Sequence, residues 1–280
     1  MKPIVSSMKN VKNMQDVKAT QHAKTRQDVK TGLPLAIVTM ALLLAPVGAF
    51  AQGREGGPPP TAKAAAPIDL TGYWVALVTE DWRYRMMTPA KGDYPNVPMN
   101  PAGRRIADAW DPAKDEAAGE QCKGYGAVNI IRTPGRLHIT WQDDNTLKAE
   151  MDNGTQTRLL HFNGLAPQGE ASWQGDSTAT WEFAGGRAPR PGTPAHGGDL
   201  SVVTRNMKAG YIQKNGVPYS ASALLTEHFD VVHEPDGKTL LIATEMLEDP
   251  AYLARRFQRS THFRKQDDAT GWDPEPCSAK

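Results

Sequence analysis

Residues 129–162 constrain this chain more than any other stretch. Runs of alternating apolar and polar residues at 137–142, 146–152 and 155–162 are separated by Asp143-Asp144-Asn145 and by Asn153-Gly154. A period of two marks a half-buried strand. Asn-Gly between two such runs is a strong hairpin signal, because a type I′ turn needs positive φ at both central residues. A preceding strand is expected to end near Arg132, before the turn Thr133-Pro134-Gly135. Strands that follow one another through tight turns form a meander, and a meander suggests an antiparallel sheet that closes or folds over itself.

Register can be read from the turns. A two-residue turn at Asn153-Gly154 sets Met151 opposite Gln156, Ala149 opposite Arg158 and Leu147 opposite Leu160, with this more apolar face inward. A two-residue turn at Asp236-Gly237 sets Val231 opposite Ile242, Phe229 opposite Thr244, Glu227 opposite Met246 and, on the outer face, His228 opposite Glu245. At Asp144-Asn145 a simple two-residue turn would put His138, Thr140 and Gln142 inside. A bulged or three-residue turn puts Leu137, Ile139 and Trp141 there instead, and the bulge is favoured.

Further strands are expected around 72–79, 172–173, 178–183, 199–206, 223–233, 239–247 and 257–264, which makes about nine or ten in all. The fold class is therefore all-β: an up-and-down antiparallel barrel with one or two short helices, with a two-sheet sandwich as the alternative. Asn100-Pro101 reads as a helix N-cap followed by proline at the first helical position. Residues 115–122 could form a second short helix. The charged and aromatic run Glu80-Asp81-Trp82-Arg83-Tyr84-Arg85 suits either a binding mouth or a solvated edge strand, with the edge weighted slightly higher.

Residues 1–51 read as an export signal with a long leader. Lys24, Arg26 and Lys30 precede an apolar segment, and Ala49-Phe50-Ala51 forms an A-x-A cleavage site. An uncleaved anchor is the competing reading, since the segment just reaches spanning length. The leader carries seven basic and two acidic residues, so removing its +5 from the chain's +1 leaves about −4. Without a basic face there is no case for nucleic acid as a partner. Residues 52–67 read as a flexible Gly/Pro/Ala linker, 68–265 as a single barrel domain and 266–280 as a polar tail. After cleavage no stable membrane span is expected, and the location is periplasmic or secreted. The two cysteines, Cys122 and Cys277, would then meet an oxidising compartment, where pairing is the default. A free thiol and an intermolecular bridge remain as alternatives.

Leu70-Thr71-Gly72-Tyr73-Trp74, residues 134–141, 154–158 and 225–229, and Glu248-Asp249-Pro250-Ala251-Tyr252-Leu253 resemble a family of uncharacterised exported bacterial proteins. The Gly-Tyr-Trp opening also resembles lipocalin-like barrels, in which a tryptophan of the first strand closes one end. These resemblances imply an exported protein of lipocalin or calycin shape, and no particular activity.

No nucleophile elbow, H-E-x-x-H or phosphate-binding glycine loop is present. Neither a metal site nor a cofactor is expected. Three functions compete. The first is a binding module holding a small apolar or aromatic molecule in the lumen. The second is a cofactor-free isomerase, lyase or hydrolase acting in the same lumen. The third is a structural envelope protein engaging other proteins by a strand edge. The ligand-binding candidates are Arg158, Glu227, Gln156, Trp82 and Trp141. Arg158 and Glu227 are expected to face inward as opposite charges on different hairpins, either marking a ligand site or forming a structural ion pair.

Overall fold

A computed structural model of the chain describes residues 59–164, 169–188, 193 and 197–280. The expected export signal and the first part of the expected linker lie outside the described residues.

The described chain forms β1 (Gly72–Leu77), α1 (Trp82–Arg85), α2 (Pro101–Asp108), α3 (Pro112–Ala117), a 3-10 turn (Gln121–Tyr125) and α4 (Ala127–Ile130). Then come β2 (Arg136–Asp143), β3 (Thr146–Met151), β4 (Asn153–Gly154), β5 (Gln156–His161), β6 (Asp176–Phe183), β7 (Gly198–Arg205), β8 (Gly210–Gln213) and β9 (Val217–Tyr219). The last elements are β10 (Leu224–His233), β11 (Thr239–Glu248), β12 (Phe257–Gln266) and β13 (Glu275–Pro276). Nine strands close a barrel in the order β1-β12-β11-β10-β7-β6-β5-β3-β2. The fold is thus all-β and closed, and the sandwich alternative is not realised. Closure also leaves the barrel strands without a free edge.

The barrel departs from an all-antiparallel one at a single seam. Strands that alternate up and down round a closed ring must be even in number, so nine strands require a parallel pair. That pair is β5–β6, joined through only Leu160–Ser177 and His161–Thr178. Its antiparallel counterpart β10–β11 runs over ten residue pairs.

The β3–β5 register is the expected one, with Met151 opposite Gln156 and Ala149 opposite Arg158. Its turn is not type I′. Gly154 has φ +83° and Thr155 φ +48°, while Asn153 is not in the left-handed region. Asn153 and Gly154 instead pair with Glu275 and Pro276. Any Cβ on Gly154 would meet the Tyr125 ring at 2.3 Å. The expected bulge between β2 and β3 is present between Trp141 and Asp143, and it turns Leu137 and Ile139 inward.

The β10–β11 register differs from expectation by one residue. Glu234 donates to the Lys238 carbonyl and Gly237 to the Glu234 carbonyl, so the connection is three residues long. Glu227 therefore faces Glu245, Phe229 faces Ala243 and Val231 faces Leu241, while His228 faces Thr244. One residue of slip turns every β11 side chain to the other face. Ile242, Thr244 and Met246 lose the interior to Leu241, Ala243, Glu245 and Leu247.

More helix is present than the one or two short segments expected. Asn100 caps α2 by accepting from the Ala102 and Gly103 amides, with Pro101 following. The second expected helix lies earlier, as α3, capped by Asp111. Residues 129–132, read as strand, belong to and follow α4. All four α4 residues are buried, so the alternation of a half-exposed strand gives no purchase there. Trp82–Arg85, weighted as edge strand, is a single helical turn.

These insertions cap one end of the barrel. Tyr94, Val97, Ala107, Val128, Ile212, Val217, Tyr219, Leu225, Leu247 and Leu253 share a core between the cap and the strand ends. The interior is filled by Trp74, Leu137, Leu147, Leu160, Trp181, Leu200, Phe229, Leu241 and Phe263, among others. At the end away from the cap, the rings of Trp141, Phe162 and Trp181 pack 5.1–6.4 Å apart. The described part of the linker joins in, since Ala62 is buried and its carbonyl accepts from the Trp181 indole. The tail is tied at the capped end by the Cys122–Cys277 disulfide, whose Cα atoms lie 5.1 Å apart. Among the described residues no helix is long and apolar enough to cross a membrane.

Candidate functional site

β5 and β10 aim Arg158 and Glu227 into the barrel, where both are buried. The pairing is bidentate, with Arg158 Nη1 2.8 Å from Glu227 Oε1 and Nη2 2.5 Å from Oε2. Nη2 also donates to Thr204 at 3.2 Å, and Thr204 and Ser177 share a 2.8 Å hydrogen bond. The cluster crosses the parallel seam, linking β5 to β6, β7 and β10. Across β10–β11, Glu227 sits beside Glu245, whose Oε2 accepts from Arg259 Nε at 2.8 Å. Burial raises the Glu245 carboxyl pKa, and neighbouring Arg259 opposes that rise. Arg259 reaches on to the carbonyls of Ile212 and Val128 in the cap. A chain of buried charge, with two facing carboxylates between two arginines, thus runs from the seam to the capped mouth.

At that mouth lies a groove of about 420 Å³. Its walls include Tyr84, Arg85, Met86, Met87, Asn129, Arg132, Gln213, Lys214 and Arg259, with no Asp, Glu or His side chain among them. The helical turn α1 brings Arg85 inward, and the turn after α4 presents Arg132. Arg85 Nε donates to the Arg132 carbonyl at 3.0 Å, and Nη1 donates to the Leu77 carbonyl at 2.9 Å and Glu80 Oε1 at 2.5 Å. Arg132 donates to Asp81 at 2.8 Å and to the Ser260 carbonyl at 3.1 Å. Burial, and then the neighbouring Arg259, pull Arg132 down to about 10. Burial likewise lowers Arg85. Lys214 donates to the Tyr125 hydroxyl at 2.8 Å. Glu80, Asp81 and Glu245 stand behind the arginines and do not line the groove. Met86 and Met87 lie on its rim, 59% and 67% exposed.

Of the ligand-binding candidates singled out from sequence, the fold brings Arg158 and Glu227 together and none of the other three joins them. Gln156 lies beside the disulfide, with its amide 3.4 Å from Cys277 Sγ and its carbonyl accepting from Gln174. Trp141 is in the aromatic layer at the opposite end. Trp82 is 62% exposed on α1 and is not a wall of the groove. Sequence reasoning missed Arg85, Arg132, Arg259 and Glu245. The dense charge and aromatic content of 80–85 was the available signal for Arg85. Nothing local marks the others, which converge from the end of α4, β11 and β12.

Among the described residues, Glu182, Asp199 and His228 could offer ligand atoms within 4.8 Å of one another on the outer wall. Solvent-facing carboxylates gather in this way without an ion, so the geometry alone does not make a metal centre. No protein-family model, curated protein or solved structure matches the chain.

Proposed function

We propose that this is an exported, lipocalin-like barrel protein, periplasmic or secreted, that binds a small apolar or aromatic molecule. The ligand site moves from the lumen to the capped mouth. The interior is occupied by its own side chains, and Arg158 and Glu227 are each other's bidentate partners. The groove beside Met86, Met87 and Tyr84 carries the reading, because it pairs exposed apolar side chains with convergent polar groups. A binding role is favoured over a catalytic one by the described walls, which carry no Asp, Glu or His side chain to act as a general base. The closed barrel counts against partner recruitment through a barrel-strand edge.

Native mass spectrometry of gently purified protein, followed by titration with naphthalene-sized molecules, tests the proposal. Chemical-shift changes at Tyr84, Met86 and Met87 are expected on binding. Changes confined to the aromatic layer around Trp141 and Trp181, or no binding at all, would remove the mouth as the site.

A further inference from the structure

Arg85 is nearly enclosed, with its side chain 1% exposed. Three of its guanidinium hydrogen bonds are made inside the protein. Its Nη2 is buried and has no partner among the described residues. An unpaired buried donor on a charged group is costly, and one on a groove wall is positioned to meet an acceptor from outside. Gln213, another wall residue, has a buried Oε1 that likewise finds no partner among the described residues. Arg132, Arg259 and Lys214 surround the same space, and Glu80, Asp81 and Glu245, which pair with the three arginines, are not among its walls. The groove therefore presents concentrated positive charge with one unfilled donor, bordered by a thioether and aromatic rim.

We infer that the groove takes an amphipathic oxyanion. A carboxylate or phosphate head is received by Arg85 Nη2 beside Arg132, and an apolar body lies on Tyr84, Met86 and Met87. Planar guanidinium groups suit either head, because they can offer parallel N–H donors to two oxygens. This inference rests on the mouth being the ligand site and adds the chemical class of the ligand. A low-dielectric wall strengthens the attraction, and the partial exposure of the groove lets added salt weaken it.

The test is calorimetric titration of the folded, disulfide-bonded protein with 2-naphthoate, 2-naphthyl phosphate and the neutral 2-naphthamide. Acetate and inorganic phosphate serve as heads without a body. One or both naphthyl anions should bind at least about tenfold tighter than the amide, with affinity falling as salt rises. The naphthoate-to-phosphate ratio assigns the head. Each anion should also bind more tightly than its bodiless head. Arg85→Gln should erase the anion preference. Because Arg85 also holds backbone carbonyls, Gln213→Glu provides a second arm. It sets a carboxylate on the wall and should weaken the anions about tenfold while leaving the amide unchanged. Equal binding of anion and amide would overturn the oxyanion inference and leave small-molecule binding at the mouth intact. Failure of all three naphthyl probes would overturn both. Anion binding untouched by both substitutions in folded protein would place the anion elsewhere and overturn the inference.

Discussion

At the scale of single residues, the barrel holds charge where a filled apolar interior would be simpler. Arg158 and Glu227 are stable there because each is the other's counter-ion and Ser177 and Thr204 complete the cluster. Arg158→Ala should cost about 3–5 kcal/mol, because it strands a buried carboxylate. Replacing both partners, Arg158→Met with Glu227→Leu, should cost far less, since no charge is left behind. Urea denaturation of the two variants checks this, and equal losses would contradict it. Glu245 gives a pH signature of definite sign. Its folded-state pKa lies above the usual carboxyl value of 4.5. Between those two values the native state binds more protons than the unfolded state, so this group makes stability fall as pH rises through that window. Glu245→Gln removes that contribution. The stability of the wild type relative to this variant should decline from about pH 4 upward and then level off. Denaturation midpoints across pH measure it, and a relative stability rising with pH would reverse the assignment.

Individual elements are held by local chemistry and by what packs on them. The Asn153-Gly154 turn shows both. Gly154 needs positive φ and also lies against Tyr125, so Gly154→Ala meets backbone strain and a ring together. A loss of about 2–3 kcal/mol is expected by thermal or chemical denaturation, whereas an ordinary surface change costs about 0.5 kcal/mol or less. The same turn is clamped by β13 and by the Cys122–Cys277 bridge, so the tail acts as part of the capped end. Sequence pairing rules found this bridge because only two cysteines exist. They found the Met151–Gln156 register because a short turn leaves one choice. They missed the β10–β11 register because one extra turn residue has no clear local signature, yet it exchanges the two faces of β11. Asn129 escaped for a different reason. A segment buried on every side loses its period, and its helical state is set by the surrounding cap.

Across the whole molecule, the odd strand number concentrates weakness in one place. The β5–β6 seam has two residue pairs, and its interior face is bridged by Arg158 reaching Ser177, Thr204 and Glu227. Local opening is expected to begin there, because the fewest backbone hydrogen bonds must break. Amide exchange should therefore be faster in β5 and β6 at the seam than in β10 and β11, and Arg158→Ala should widen the gap. Uniform exchange around the barrel would show that the seam is not a weak point. Legible along the chain were the all-β character, most strand positions, the capped α2 helix, the cysteine pair and the inward side of Arg158 and Glu227. Those features follow from alternation, turn chemistry and counting, which act over a few residues. The parallel seam, the partnership of Glu227 with Arg158 beside Glu245, and the mouth where Arg85, Arg132 and Arg259 meet emerge with the folded barrel. Those depend on ring closure, on register accumulated across several strands and on contacts between residues 47 to 131 positions apart, and no local pattern encodes them.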